Sequence, residues 1–292
     1  MNAKFIQLMC LAALLMFSPV AYPKSSVWKI TKGDKFFYLG GTVHFLSASD
    51  HPLPKEFEFA YQNSEKLIFE TDIVKIKTPE SQQKFLRAML FDSKRTLMDE
   101  LDPRTFNELK NFLAGRQISI ENFLSFQPWA VGLTISVLEY RRMGMKTEYG
   151  VEEYFNMKVS LDKKQRGYLE SVDEQLSFLL SMADVESNLM INHTLRDLKL
   201  LPSYLEFLKN SWRKGDIEAV TKHSSIVQMK SEFPSLYNTL IVNRNNRWMK
   251  HLLKLNDNDI IEFVLVGALH LNGEEGLLSQ LENEGFGISQ LQ

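Results

Sequence analysis

A chain of 292 residues with 44% hydrophobic content can bury a sizeable core, as one large domain or two small ones. A formal charge of −2 and a pI near 6.3 leave no basic face of the kind nucleic acid requires. Cys10 is the only cysteine, so the chain beyond it can form no disulfide, thiolate zinc site or cysteine nucleophile. Any metal there has to be held by nitrogen and oxygen.

Residues 1–24 read as an export signal. Lys4 supplies the positive start, Phe5 to Phe17 is an apolar run, and Ser18-Pro19 ends it. The run is short for a membrane span and no later segment is long and apolar enough to be one, so no stable span is expected after cleavage. The expectation is a single domain over 25–292 in the periplasm or secreted. An uncleaved membrane anchor is the alternative, because Pro19, Tyr22 and Pro23 interrupt the small-residue pattern around Ala21.

Val27 to Ile30 and Phe36 to Leu39, parted by Thr31-Lys32-Gly33-Asp34-Lys35, predict a β-hairpin. A loop past His44 leads to a helix through Tyr61. Lys66 to Asp72 is a short apolar strand ending in two carboxylates. From Pro79 to about Leu255 the apolar spacing is mostly helical. Breaks are expected at Asp102-Pro103, Gln127-Pro128, Gly144, Leu201-Pro202, Gly215 and Phe233-Pro234, with Asp102 as an N-cap before a proline in the first turn. Within that stretch Arg166 to Ser171 can be a strand, followed by a helix from Asp173 to Leu180. Ile260 to Val266 returns to strand, Glu274 to Glu284 is helical, and Phe286 to Leu291 closes the chain. The pattern predicts an α/β (α+β) fold, in which a central mixed sheet is built from the two ends and the long helical middle is inserted between them.

One short device occurs near both ends. Gly41-Thr42-Val43-His44 follows the first hairpin and Gly267-Ala268-Leu269-His270 follows the last long strand. A glycine there lets the backbone turn or approach something closely, and the histidine projects a titratable, metal-competent imidazole. Four strand-to-loop transitions thus carry polar groups: His44, Glu70 with Asp72, Glu170, and His270. Ligands of α/β sheets sit at the carboxyl ends of the strands, so these groups are expected to converge. Two imidazoles with one or two carboxylates suit Mn²⁺, Co²⁺ or Zn²⁺ and a metal-activated water, with a remaining carboxylate as general base. Histidine and glutamate can also activate water directly, with Arg244 stabilising negative charge.

Simpler roles exist for each residue. Glu70 and Asp72 can cap the following segment, Glu170 can face a helix N-terminus, and Arg244 and Arg247 can pair with surface acids. His51, His193, His223 and His251 have no partners at ligand spacing and are read as structural. Trp129, Trp212 and Trp248 are read as core. No His-Glu-x-x-His, Gly-x-Ser-x-Gly or phosphate-loop pattern is present.

The ordered set Leu39 to His44 with Leu53-Pro54, Phe69-Glu70-Thr71-Asp72, Gly150 to Phe155, Leu169-Glu170-Ser171 with Glu174-Gln175, Arg244-Asn245 with Trp248, and Gly267 to Leu277 resembles the TraB/GumN family. That family includes the Tiki proteases, described as metal-dependent and favouring manganese or cobalt. The resemblance implies a mixed α/β fold with His44, Glu70 and His270 at the catalytic or metal site and Glu170 and Arg244 in support. It implies a metal-dependent hydrolase, peptidase-like, acting on a peptide or small molecule. The competing readings are a non-catalytic binding or accessory protein of the cell envelope and a metal-free, esterase-like hydrolase.

Overall fold

The computed structural model describes residues 24–92 and 94–292; all of the expected signal segment but Lys24 lies outside the described residues. The hairpin forms as expected, with β1 (Val27–Lys32) and β2 (Lys35–Thr42) joined across Gly33, whose φ of 62° is one that a side chain would resist. β3 (Lys66–Phe69), β4 (Gln165–Tyr168), β5 (Glu262–Gly267) and β6 (Gly287–Gln290) complete one six-stranded sheet among the described residues, in the order β4-β3-β5-β2-β1-β6. β4, β3, β5 and β2 run parallel, and β1 is antiparallel to both β2 and β6. The sheet therefore draws on both ends of the chain and takes one strand from the middle, giving the mixed α/β fold that the pattern predicted.

Both faces of the sheet are covered, because neighbouring residues of the central strands point to opposite sides and both sets are apolar. Tyr38, Leu67, Phe69, Phe263 and Leu265 pack on one side with Phe57, Phe155 and Trp212. Leu39, Ile68, Val264 and Val266 pack on the other with Trp248, Leu252, Leu277 and Leu281. Phe263 has no exposed surface, and truncating such a residue to alanine costs about 3–5 kcal/mol. A third core lies within the inserted middle, where Leu109, Val131, Ile135, Ile191, Leu195 and Leu198 meet from the helices Pro103–Ala114, Pro128–Arg142 and Ser187–Arg213.

The break expected at Leu201-Pro202 is not there. The Ser187–Arg213 helix runs through Pro202. Leu198 and Leu201 are both buried in the third core, so tertiary packing outweighs the one hydrogen bond that the proline removes. The continuous helix then reaches the sheet, where the Trp212 indole donates to the Gly41 carbonyl at 2.7 Å. Asp102 does cap its helix, accepting from the Thr105 amide with Pro103 in the first turn.

Candidate active site at the carboxyl edge of the sheet

Four parallel neighbours end together. Thr42 of β2 pairs with Gly267 of β5, and Phe69 of β3 pairs with Leu265 of β5 and Tyr168 of β4. The residues just beyond these ends are His44, Glu70, Glu170 and His270. The two histidine motifs are closely packed: a Cβ on Gly41 would stand 2.7 Å from Leu271 Cδ1, so a larger residue there would push the Leu271 side chain of the second motif aside.

Arg244 is the centre of the buried part of the site. It sits early in the Asn243–Leu252 helix, directly after the π-helical segment Asn238–Val242, a widened turn of the kind often found at functional sites. Nη2 donates to Glu70 Oε2 at 2.6 Å and to Glu170 Oε1 at 2.8 Å, while Nε donates to Glu170 Oε2 at 3.1 Å. Nη1 lies 3.1 Å from His270 Nε2. The second oxygen of Glu70 accepts the Gly267 amide at 2.6 Å, and Glu170 also accepts the Trp248 indole at 3.1 Å.

The protonation of His270 follows from its partners. Asn245 uses its amide nitrogen on the carbonyls of His270 and Glu275, so its oxygen faces His270 Nδ1 at 2.7 Å. Nδ1 must then carry the hydrogen and Nε2 the lone pair that accepts from Arg244. Burial, and with it the Arg244 charge, holds His270 down at about 3 against the pull of Glu70, so the ring is neutral. Burial alone would raise Glu70, but the Arg244 charge above all, with the His44 charge and the Gly267 amide, brings it down to about 2. Glu170 is raised by burial, with Arg244 pulling against it.

His44 stands apart from this cluster. Its side chain is 61% exposed, and Nδ1 lies 3.0 Å from Oε1 of the buried Glu152. That oxygen also accepts the Thr42 hydroxyl, while Glu152 Oε2 is buried without a partner. The Glu152 charge raises His44 to about 9. His44, Glu70 and Glu152 line one cavity of about 360 Å³, and His270, Glu170 and Arg244 do not line it. The structure thus brings the five sequence-selected residues to one edge in two layers, a buried layer around Arg244 and an exposed layer at the cavity.

The simpler roles sort out by geometry. Asp72 is a cap, accepting from the Lys75 amide, whereas Glu70 is not. The helix after Glu170 is capped by Ser171 with Glu174, which leaves Glu170 to Arg244. Arg247 lies over the Phe178 ring at 4.4 Å. Trp248 is core, as expected, but its ring also packs against His270 at 4.5 Å between centroids. Sequence reasoning gave no role to Glu152 or Asn245. The signal for Glu152 lay in Gly150-Val151-Glu152, which starts the Val151–Asp162 helix, yet nothing in that spacing points to His44.

The donor atoms of the His44, Glu70 and His270 set do not present a vacant metal site. His270 Nε2 and Glu70 Oε2 both face the Arg244 guanidinium, which already supplies the positive charge between them. Among the described residues no group of three or more His, Cys, Asp or Glu is arranged to hold an ion. Their geometry therefore does not fit the ion that the resemblance implied, and Arg244 would have to withdraw for these three side chains to share one.

Comparison with known proteins places the chain. It belongs to the TraB/PrgY/gumN family, whose sequence profile matches residues 26–290. It is 24% identical over 249 residues to the uncharacterized protein YbaP of Escherichia coli (strain K12), covering 85% of this chain and 89% of that one. It is also 22% identical over 327 aligned positions to the metalloprotease TIKI1 of Danio rerio, covering 93% of this chain and 64% of that one. No solved structure gives a significant match.

Proposed function

We propose that this TraB/PrgY/gumN-family protein is an exported hydrolase of amide bonds, a peptidase in type, working at the cavity lined by His44, Glu70 and Glu152. The observation that carries the reading is the His44–Glu152 pair: an exposed imidazole whose Nδ1 is held 3.0 Å from a buried carboxylate at the edge of a cavity. This is how a general acid or base is oriented, with the second ring nitrogen left for the substrate. The similarity to TIKI1, a protein named as a metalloprotease, supports hydrolysis as the reaction class.

The protonation states support a division of roles. With a pKa near 9, His44 is an imidazolium at neutral pH and is suited to donate a proton to a departing amine. Glu152 lines the same cavity, and its carboxylate is the group that we assign to take a proton from an attacking water. The water oxygen would bond to the acyl carbon, the carbon–nitrogen bond would break, and the amine would leave with the His44 proton. Glu70, kept charged by Arg244, favours the imidazolium form of His44. Metal dependence, which family resemblance implies, would require Arg244 to leave His270 Nε2 and Glu70, and it is read separately by metal analysis. Among the described residues no helix is long and apolar enough to cross a membrane; export rests on the expected signal in residues 1–24.

The test is a mixture-based peptide library incubated with the purified protein, with and without EDTA or added Mn²⁺ and Co²⁺, and read by mass spectrometry. His44→Ala and Glu152→Gln should each lose about 10²-fold or more in rate while keeping the wild-type circular dichroism. Folded variants that cleave at the wild-type rate would remove the pair from the reaction. No cleavage under any condition would favour a non-catalytic binding role for the same cavity.

A further inference from the structure

The cavity has more apolar wall than the chemistry of His44, Glu70 and Glu152 needs. Phe45, Phe69, Ile73 and Ile76 form that wall beside the charged groups. Phe69 is fixed in the core of the sheet, and Phe45 is stacked on Tyr140 with ring centroids 4.9 Å apart and 15° between planes. Two of the four wall residues are thus rigidly held before anything binds, and a preformed apolar surface costs a ligand little ordering. Lys77 and Glu153, which also line the cavity, are paired with each other at 2.5 Å.

A second observation lies in the same wall. The Thr71 hydroxyl is buried and has no hydrogen-bond partner, in a residue only 4% exposed. Buried hydroxyls are almost always paired, and an unpaired one at a cavity next to reactive groups is accounted for if a ligand completes it. A hydroxyl directly after Glu70 can donate to a carbonyl, which a peptide carries on the same Cα as each side chain.

We propose that this cavity is a side-chain pocket that selects peptides carrying a bulky apolar residue next to the scissile bond, with the Thr71 hydroxyl donating to the carbonyl of that residue. This rests on the amide-hydrolase reading above for its biological use, but not for its binding. A leucine or phenylalanine side chain would be covered by Phe45, Phe69, Ile73 and Ile76. A charged side chain laid against Phe45, Phe69, Ile73 and Ile76 would lose hydration without gaining a partner from those four residues, and glycine would leave the wall uncovered.

The probes are N-acetyl-leucinamide and N-acetyl-phenylalaninamide, with N-acetyl-glycinamide, the amide of N-acetyl-aspartate, and hexanoate as comparisons. They are titrated into protein carrying isotope-labelled isoleucine methyl groups, with the Ile73 and Ile76 signals identified by Ile→Val variants. The leucine and phenylalanine amides should shift both signals and bind about 10-fold or more tightly than the glycine amide. Ile76→Trp, at a half-buried position that leaves the core alone, should abolish that preference by filling the pocket. Thr71→Val, of nearly the same shape, should weaken the two amides several-fold and leave hexanoate unchanged.

Equal binding of all the amides, or no shift at Ile73 and Ile76, overturns the pocket. Hexanoate binding as tightly as the leucine amide overturns the peptide assignment. Apolar amides that bind where no peptide is ever cleaved would sink the hydrolase reading and leave the pocket standing. Cleavage with no apolar preference in the library would do the reverse.

Discussion

Replacing Arg244 by methionine keeps much of the side chain's length and removes the charge around which the buried layer is built. In the native protein Glu70 titrates near 2 in place of its ordinary 4.5, which is worth roughly 3 kcal/mol of stability at neutral pH. Because that pKa is depressed, the contribution is present above pH 4.5 and is lost as pH falls toward 2. Without the guanidinium, burial and the neighbouring Glu170 both raise Glu70, and the sign reverses. A carboxyl whose folded pKa exceeds its unfolded one stabilises at low pH and loses that contribution as pH rises. Removing one partner of a buried charge pair costs about 3–5 kcal/mol, or roughly 10 °C in Tm for a chain of this size. The variant should show that loss at pH 7.5 and a much smaller one at pH 5, where a proton can enter the pair of carboxyls. Urea unfolding followed by circular dichroism between pH 4 and 8 measures both slopes. A variant curve that runs parallel to the wild type would refute the assignment of Arg244 as the compensating charge. Arg244→Lys, which keeps the charge but lacks the planar fork that reaches both glutamates and His270, should fall between the two.

The His44 ring should titrate near 9 by NMR, and Glu152→Gln should bring it back toward 6.5, since the Glu152 charge is the largest cause of the rise; a value that stays near 9 would place the cause elsewhere. The rate carried by a protonated His44 should accordingly be full at neutral pH and decline as pH rises through 9. Gly150→Ala should cost about 1–3 kcal/mol in urea unfolding, because its Cβ would lie 2.3 Å from the His44 carbonyl oxygen, a backbone atom that cannot swing aside. Fractionation with N-terminal sequencing should find the chain in the periplasm, cut near residues 21–26; an intact N-terminus in washed membranes would mean an anchor.

The sheet was legible because most of its strands are short apolar runs bounded by turn residues, and the hairpin, β3 and β5 lie where that pattern placed them. β4 was legible for a different reason, as the one interruption in a helical stretch. The proline in the Ser187–Arg213 helix misled because local propensity does not register Leu198 and Leu201 in the core beneath it. Around the site, strand ends named His44, Glu70, Glu170 and His270, since α/β topology collects such ends at one edge. Glu152 escaped because it lies in the first turn of a helix, where an acidic residue is expected for the helix dipole alone. The partners of Arg244 escaped because both glutamates are distant in sequence, and an arginine between two asparagines looks solvated.

The two Gly-x-x-His copies read alike in the sequence and separate in the structure. Both ends of the second copy are tied to Glu70: the Gly267 amide binds one oxygen directly, and His270 holds the guanidinium that binds the other. That arrangement works only with a neutral His270, since an imidazolium would repel Arg244; burial keeps the ring neutral, and Asn245 fixes its tautomer by accepting from Nδ1. The second motif therefore fixes the position and charge of Glu70. The first copy does the opposite with the same residue types. Thr42 within it binds Glu152, Glu152 holds His44, and the imidazole is left exposed at the cavity. One histidine lies inside the fold, where it helps hold the guanidinium that keeps a carboxylate ionised, and that carboxylate helps the other histidine stay protonated where it is exposed at the cavity.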